Sequence, residues 1–160
     1  MACGANSGAA LSKLDAKACV TVSAILVDHA PIFPVFAFRF DTPAGAVVIS
    51  GDTNRNANLI ELAKGADILI HEAIDLDWAR SLFPAQRTPA QDAKLRHLLE
   101  AHTGAHDLGS IADAADVKLL VLSHLAPPTL DDQAWLHQFT RTRGKAVVGK
   151  PLMSFVVPVQ

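Results

Sequence analysis

Residues 67–73 (DILIHEA) and 117–125 (VKLLVLSHL) carry apolar side chains at successive positions rather than alternate ones. A strand of this kind has to be covered on both faces, which is the condition of a central strand in a helix-flanked parallel sheet. The residues around the two runs supply the helices. Leu59, Ile60 and Ala63 fall on one side of segment 54–64, and Gly65 marks its stop. Helical pattern returns over 90–101, over 104–115 with Thr103 as N-cap, and over 130–143 ahead of Gly144.

Strands of a second kind come first. Residues 19–27 (CVTVSAILV) and 35–40 (VFAFRF) are rich in β-branched and aromatic residues, and the turn cluster DTPAG hands the chain to AVVIS at 46–50. This meander is expected to form a further sheet, and AVV (146–148) and LMSFVVP (152–158) are expected to close the chain as short strands. The fold class is therefore α/β, a layered sandwich. A chain of 160 residues makes one domain, and a composition half hydrophobic and only 19% charged excludes a disordered one. Residues 1–17 read as a flexible leader and 18–160 as the domain, with FPAQRTPA (83–90) as a further linker-like stretch.

A net charge of −2 supplies no general basic field, so nucleic acid is not the favoured partner, although a local patch could still bind it. No run approaches the roughly 18 apolar residues that a membrane span requires. Cys3 and Cys19, without CxxC spacing, suit a reducing cytoplasm.

The polar residues that interrupt this pattern fall at strand ends or loop starts: His29, Asp52, His71 with Glu72, His102 and His124. Imidazole and carboxylate are the ligand types that suit zinc and similar divalent ions. Each residue also has a structural explanation. Asp52 is equally placed to cap the helix after it, and His29 and His124 could be ordinary loop or strand-end histidines. His97, His106 and His137 lie in helical pattern and read as solvated surface residues. Spacing alone leaves these alternatives open.

The segments VDHAPIFPVFAFRF, VVISGDT, GADILIHEA, AHTGAHDLGSIADAADVKLLVLSHLAP and GKPLMSFVVP resemble, in this order, those of the metallo-β-lactamase-fold hydrolases. The likeness is to the branch of ribonuclease Z and the arylsulfatase-type or phosphodiesterase members, and it implies an αββα sandwich. It also implies that His29 and His124 each bind one of two zinc ions, that Asp52 bridges them, and that His102 acts on the substrate. In AHTG the match to that branch's His-Ser/Thr motif is partial, since Gly104 stands at its third position. His71 and Glu72, in the HEA element, are expected to orient the ligands by hydrogen bonds.

The family's His-x-His-x-Asp-His motif is absent, and no His-x-His pair occurs anywhere in the chain. The resemblance is therefore to the C-terminal half of such a hydrolase. It implies a metal-dependent attack by a metal-bound hydroxide on a phosphodiester, sulfate or other ester, with a small-molecule substrate preferred because no Lys/Arg-rich arm is visible. Zinc binding by this chain alone is expected to be weak or absent. Self-association, or a complementary N-terminal half, is expected to cover the open side of the half-sandwich. The alternative is a catalytically inactive half-domain serving as a binding or structural module.

Overall fold

The computed structural model describes residues 19–139 and 142–156, so the leader expected at 1–17 lies outside the described residues. Among the described residues six strands form one sheet in the order of the sequence. They are β1 (Thr21–His29), β2 (Ile32–Thr42), β3 (Gly45–Ile49), β4 (Ile68–Ile74), β5 (Leu119–Ala126) and β6 (Lys145–Val148). The first three pair antiparallel and the last four parallel, with β3 common to both sets. The meander thus does not form a further sheet. Its alternating pattern identifies strands but not their partners, and β3 joins it directly to β4 through the Val47↔Ile68, Val48↔Leu69 and Ile49↔Ile70 pairs.

Helices fill the crossovers that parallel strands require. Helix α1 (Ala57–Leu62) joins β3 to β4, and Asn56 caps it by accepting from the Asn58 N–H. Between β4 and β5 run α2 (Leu76–Ser81), α3 (Pro89–Ala101), a 3₁₀ turn (Ala105–Asp107) and α4 (Leu108–Ala114). Helix α3 starts with a capping box in which Thr88 and Gln91 satisfy one another's backbone N–H groups. Helix α5 (Asp132–His137), capped by Asp131, leads to β6. It is shorter than the expected 130–143, of which Thr140 and Arg141 lie outside the described residues.

Two local expectations differ from the structure, and one helix has no counterpart among them. Helix α2 follows β4 after the single residue Asp75, whose carboxylate caps it through the Asp77 and Trp78 N–H groups, so no loop signal separates strand from helix. Thr103 is not an N-cap: its hydroxyl donates to the Thr53 carbonyl at 2.7 Å. Residues 152–156 form no strand, and 157–158 lie outside the described residues.

The two faces of the sheet differ. Cross-strand partners share a face, so Val48, Leu69 and Leu120 lie side by side. They pack with Leu59 of α1 and Ala63 at its C-cap, Leu108, Ile111 and Ala112 of α4, and Trp135 of α5 in one buried cluster. Each large side chain there contributes about 1.5–3 kcal/mol by leaving water. On the opposite face Leu26 pairs with Phe36, and Phe38 with both Ala24 and Ile49. Leu26, Phe36, Phe38 and Ile49 are all exposed, as is Val22.

Candidate metal centre

Because β2 alone runs against the other strands, the C-terminal ends of β1, β3, β4 and β5 lie along one edge of the sheet. His29 is the last residue of β1, Asp52 follows β3, Glu72 lies near the end of β4, and His124 near the end of β5. This is the side on which open α/β sheets place their ligands. The turn that carries Asp52 depends on Gly51, which has φ +62°; a Cβ there would stand 2.9 Å from the Phe36 carbonyl oxygen. His124 occupies a bulge between the Glu72↔Ser123 and Ala73↔Leu125 pairs, with φ +43°. A bulge of this kind re-aims a side chain, and the left-handed backbone of a non-glycine residue is sustained only by its surroundings.

The edge brings most of the expected site residues together. The His124 Nδ1 lies 3.0 Å from Asp52 Oδ1. The His102 ring is 6.4 Å from that of His124 and 4.7 Å from that of His29, centroid to centroid. Asp52 caps no helix, since Asn56 performs that role. Both members of the Asp52–His124 pair remain open to solvent, with side chains 39% and 63% exposed.

Glu72 is the hub behind these residues. Its carboxylate, 2% exposed, accepts at Oε1 from the Thr103 N–H (2.9 Å), the Thr53 N–H (3.2 Å) and His102 Nδ1 (3.2 Å). One buried anion thereby sets the positions of the residues that follow Asp52 and His102. The hydrogen bond to Glu72 is the main reason the His102 pKa stands above the usual imidazole value, with burial opposing it and the Glu72 and Asp52 charges adding to it.

His71 is not part of this group. Alternation along β4 sets it with Leu69 and Ala73 rather than with Glu72. It is fully buried, its Nδ1 lies 2.7 Å from the Glu72 carbonyl, and its Nε2 has no hydrogen-bond partner among the described residues. Burial lowers its pKa, against smaller raising effects from the Glu72 carbonyl and carboxylate.

His97 does belong to the group, contrary to its expected place on a solvated surface. Its ring lies 5.3 Å from that of His29 and 5.7 Å from that of His102. On a continuing helix, residues five apart diverge by about 140°, but α3 ends at Ala101 and His102 turns out in an extended conformation. Helical periodicity therefore carries no signal of this contact. His106 and His137 are exposed and stay outside the group. A cavity of about 700 Å³ lies at the other end of the strands, lined by Asp67, Lys118 and Arg143 among others, away from the imidazoles.

The donor set suits a divalent transition metal. His29, His97 and His102 each commit Nδ1 to an oxygen, respectively the carbonyls of Ala101 (3.0 Å) and Ala30 (2.8 Å) and the Glu72 carboxylate (3.2 Å). An imidazole that donates from Nδ1 keeps its Nε2 lone pair for a metal.

Comparison with known proteins agrees in fold and sequence. The chain is 37% identical over 114 residues to ribonuclease Z of Mycobacterium sp. (strain KMS), covering 71% of this chain and 37% of that protein. It is 30% identical over 136 residues to the putative ribonuclease Z of Mycobacterium tuberculosis (strain CDC 1551 / Oshkosh), covering 83% and 57%. It superposes on the metallo-beta-lactamase fold protein YhfI of Bacillus subtilis with a TM-score of 0.58 and 23% identity, over 82% of this chain and 47% of that one. This is a ribonuclease Z-like chain of the metallo-β-lactamase fold. Human tRNase Z, short form, matches with a TM-score of 0.56 and 20% identity, over 91% of this chain and 44% of that one. No protein-family model matches the chain. The ribonuclease Z-like chain spans 37% to 57% of the length of these curated relatives. The names of these relatives say nothing of a sulfate ester or of a small-molecule substrate.

Proposed function

We propose that this chain forms the C-terminal half of a metal-dependent phosphodiesterase centre of the ribonuclease Z type, which an N-terminal half bearing the His-x-His-x-Asp-His ligands completes. The observation that carries the reading is the convergence of His29, Asp52, His102 and His124 on one sheet edge, with Asp52 and His124 already 3.0 Å apart. Among the described residues no helix is long and apolar enough to cross a membrane.

In the completed centre His29, Asp52 and His124 would be the ligands this chain contributes, the Asp52 carboxylate supplying the negative charge that two cations held close together would need. Zinc there would act as a Lewis acid and lower the pKa of water enough to make a nucleophile at neutral pH. His102, oriented through Nδ1 by Glu72, faces the substrate with Nε2 and stabilises charge on a phosphate oxygen. Thr53 and Thr103 hold Asp52 and His102 in place through their N–H groups on Glu72. The substrate class is an RNA phosphodiester, in line with the names of the relatives, and the rest of the assembly supplies the basic surface that a chain of net charge −2 lacks. The exposed face formed by Leu26, Phe36, Phe38 and Ile49 is where the N-terminal half docks.

The test is complementation: the chain is mixed with the N-terminal part of a mycobacterial ribonuclease Z, loaded with zinc, and assayed on a tRNA precursor and on bis(p-nitrophenyl) phosphate. Cleavage by the assembly that His124→Ala abolishes is the expected result. An assembly that forms and cleaves neither substrate would favour the inactive-module alternative.

A further inference from the structure

We infer that His29, His97 and His102 form a binding site for one divalent transition-metal ion within this chain, with a ligand set different from the Asp52–His124 pair. The inference does not rest on the hydrolytic reading, because it needs neither an N-terminal half nor a reaction. One ligand nitrogen from each of the three rings lies within 4.8 Å of the other two. Nitrogens around a tetrahedral zinc stand about 3.4 Å apart, given Zn–N bonds of about 2.0–2.1 Å. Rotations of the rings that move each nitrogen by about 1 Å close that gap.

Orientation is already provided. The Nδ1 groups of His29 and His97 form a reciprocal clamp: the first bonds the carbonyl of Ala101 at the end of α3, and the second that of Ala30 in the β1–β2 turn. Glu72 fixes the third ring. The same bonds that leave three Nε2 lone pairs also join α3 to β1, so an ion seated there would tie the two elements further. Three imidazoles with a fourth position left to water make a common zinc arrangement, and imidazole suits cobalt, nickel and copper as well. Because His29 and His102 serve both arrangements, occupancy of this site excludes their roles in the completed hydrolytic centre.

The experiment uses the 160-residue chain freed of metal by chelator dialysis. Cobalt(II) is titrated while its visible absorption is followed, and zinc(II) affinity is then measured by competition with a chromophoric chelator. The expected result is one equivalent of cobalt in a tetrahedral spectrum. Removing a group that merely orients a ligand costs 10–100-fold in affinity, so His97→Ala should weaken zinc binding by about a hundredfold or more. Asp52→Asn and His124→Ala, which remove no ligand of this site, should change it by less than about threefold. Zinc should raise the melting temperature of the wild-type chain and leave that of His97→Ala unchanged, while circular dichroism of the two metal-free proteins coincides. If His97→Ala fails to fold, His97→Gln and His102→Ala take its place with the same expectation. Wild-type affinity in the His97 and His102 variants, loss of binding in Asp52→Asn or His124→Ala, or no cobalt bound at all would each overturn the proposal.

Discussion

Glu72 is the residue whose removal should be felt most widely, and the size of the effect follows from what its carboxylate holds. Oε1 is the shared acceptor for two backbone N–H groups and one imidazole, and the side chain is 2% exposed. In Glu72→Ala, the Thr53 and Thr103 N–H groups lose their acceptor in a water-poor site, at about 1–3 kcal/mol each. With the third bond and the vacated volume, the total is about 4 kcal/mol. In Glu72→Gln an amide oxygen can keep the three contacts, but bonds to a neutral acceptor are weaker by about 1 kcal/mol apiece. The new amide nitrogen would also lie where Glu72 Oε2 has no partner among the described residues. Relief from burying a charge offsets part of this, leaving a loss of about 2 kcal/mol. Urea unfolding followed by fluorescence of Trp78 and Trp135 measures both. At a slope of about 2 kcal/mol per molar, the midpoint should drop by about 2 M for the alanine and about 1 M for the glutamine variant. If both variants unfold within about 0.5 kcal/mol of wild type, as substitutions at unimportant surface sites do, Glu72 is not the hub described above.

Three further outcomes follow from the same structure. Burial lowers the His71 pKa, so below the unfolded-state value of 6.5 the unfolded chain takes up a proton that the folded one resists; stability falls as pH drops through that point. His71→Leu should flatten the fall between pH 7.5 and pH 5.5, and urea midpoints that decline equally in both proteins would contradict this. Asp67 is held below the ordinary carboxylate value of 3.8, first by the Lys118 ammonium at 2.7 Å and then by the Ala46 N–H at 2.8 Å. Its stabilisation is complete above pH 3.8 and is lost as pH falls through the folded value, so the deficit of Asp67→Asn should shrink on acidification; a pH-independent deficit would contradict it. The exposed Leu26–Phe36–Phe38–Ile49 face should bind a hydrophobic dye and drive self-association of the isolated chain. Phe36→Ser with Phe38→Ser should reduce both, whereas a wild-type monomer by light scattering that ignores the dye would refute it.

The parts legible in the sequence are those governed by local chemistry. Strands β4 and β5 show themselves by apolar residues at successive positions, and α3 by the helical pattern over 90–101, although its Thr88 cap falls in the stretch that reads as linker-like. Asp52 and His124 stand out because polar residues at the ends of buried strands are few. The parts not legible depend on distant pairing. That β3 links the meander to the parallel strands is a matter of partners, not of pattern. His71 and Glu72 read as one element, yet strand alternation sends the first to the core and the second to the site. His97 joins His29 only because two elements 67 residues apart are clamped by a side-chain bond to the Ala30 carbonyl.

The most direct test of the central claim is anomalous diffraction at the zinc edge from crystals of this chain assembled with its N-terminal complement. Anomalous density is expected within about 2.0–2.2 Å of the Asp52 carboxylate, with the His124 and His29 imidazoles on either side of it and the N-terminal half supplying the remaining ligands. An assembly that cleaves RNA while its zinc density lies away from Asp52 and His124 would contradict it.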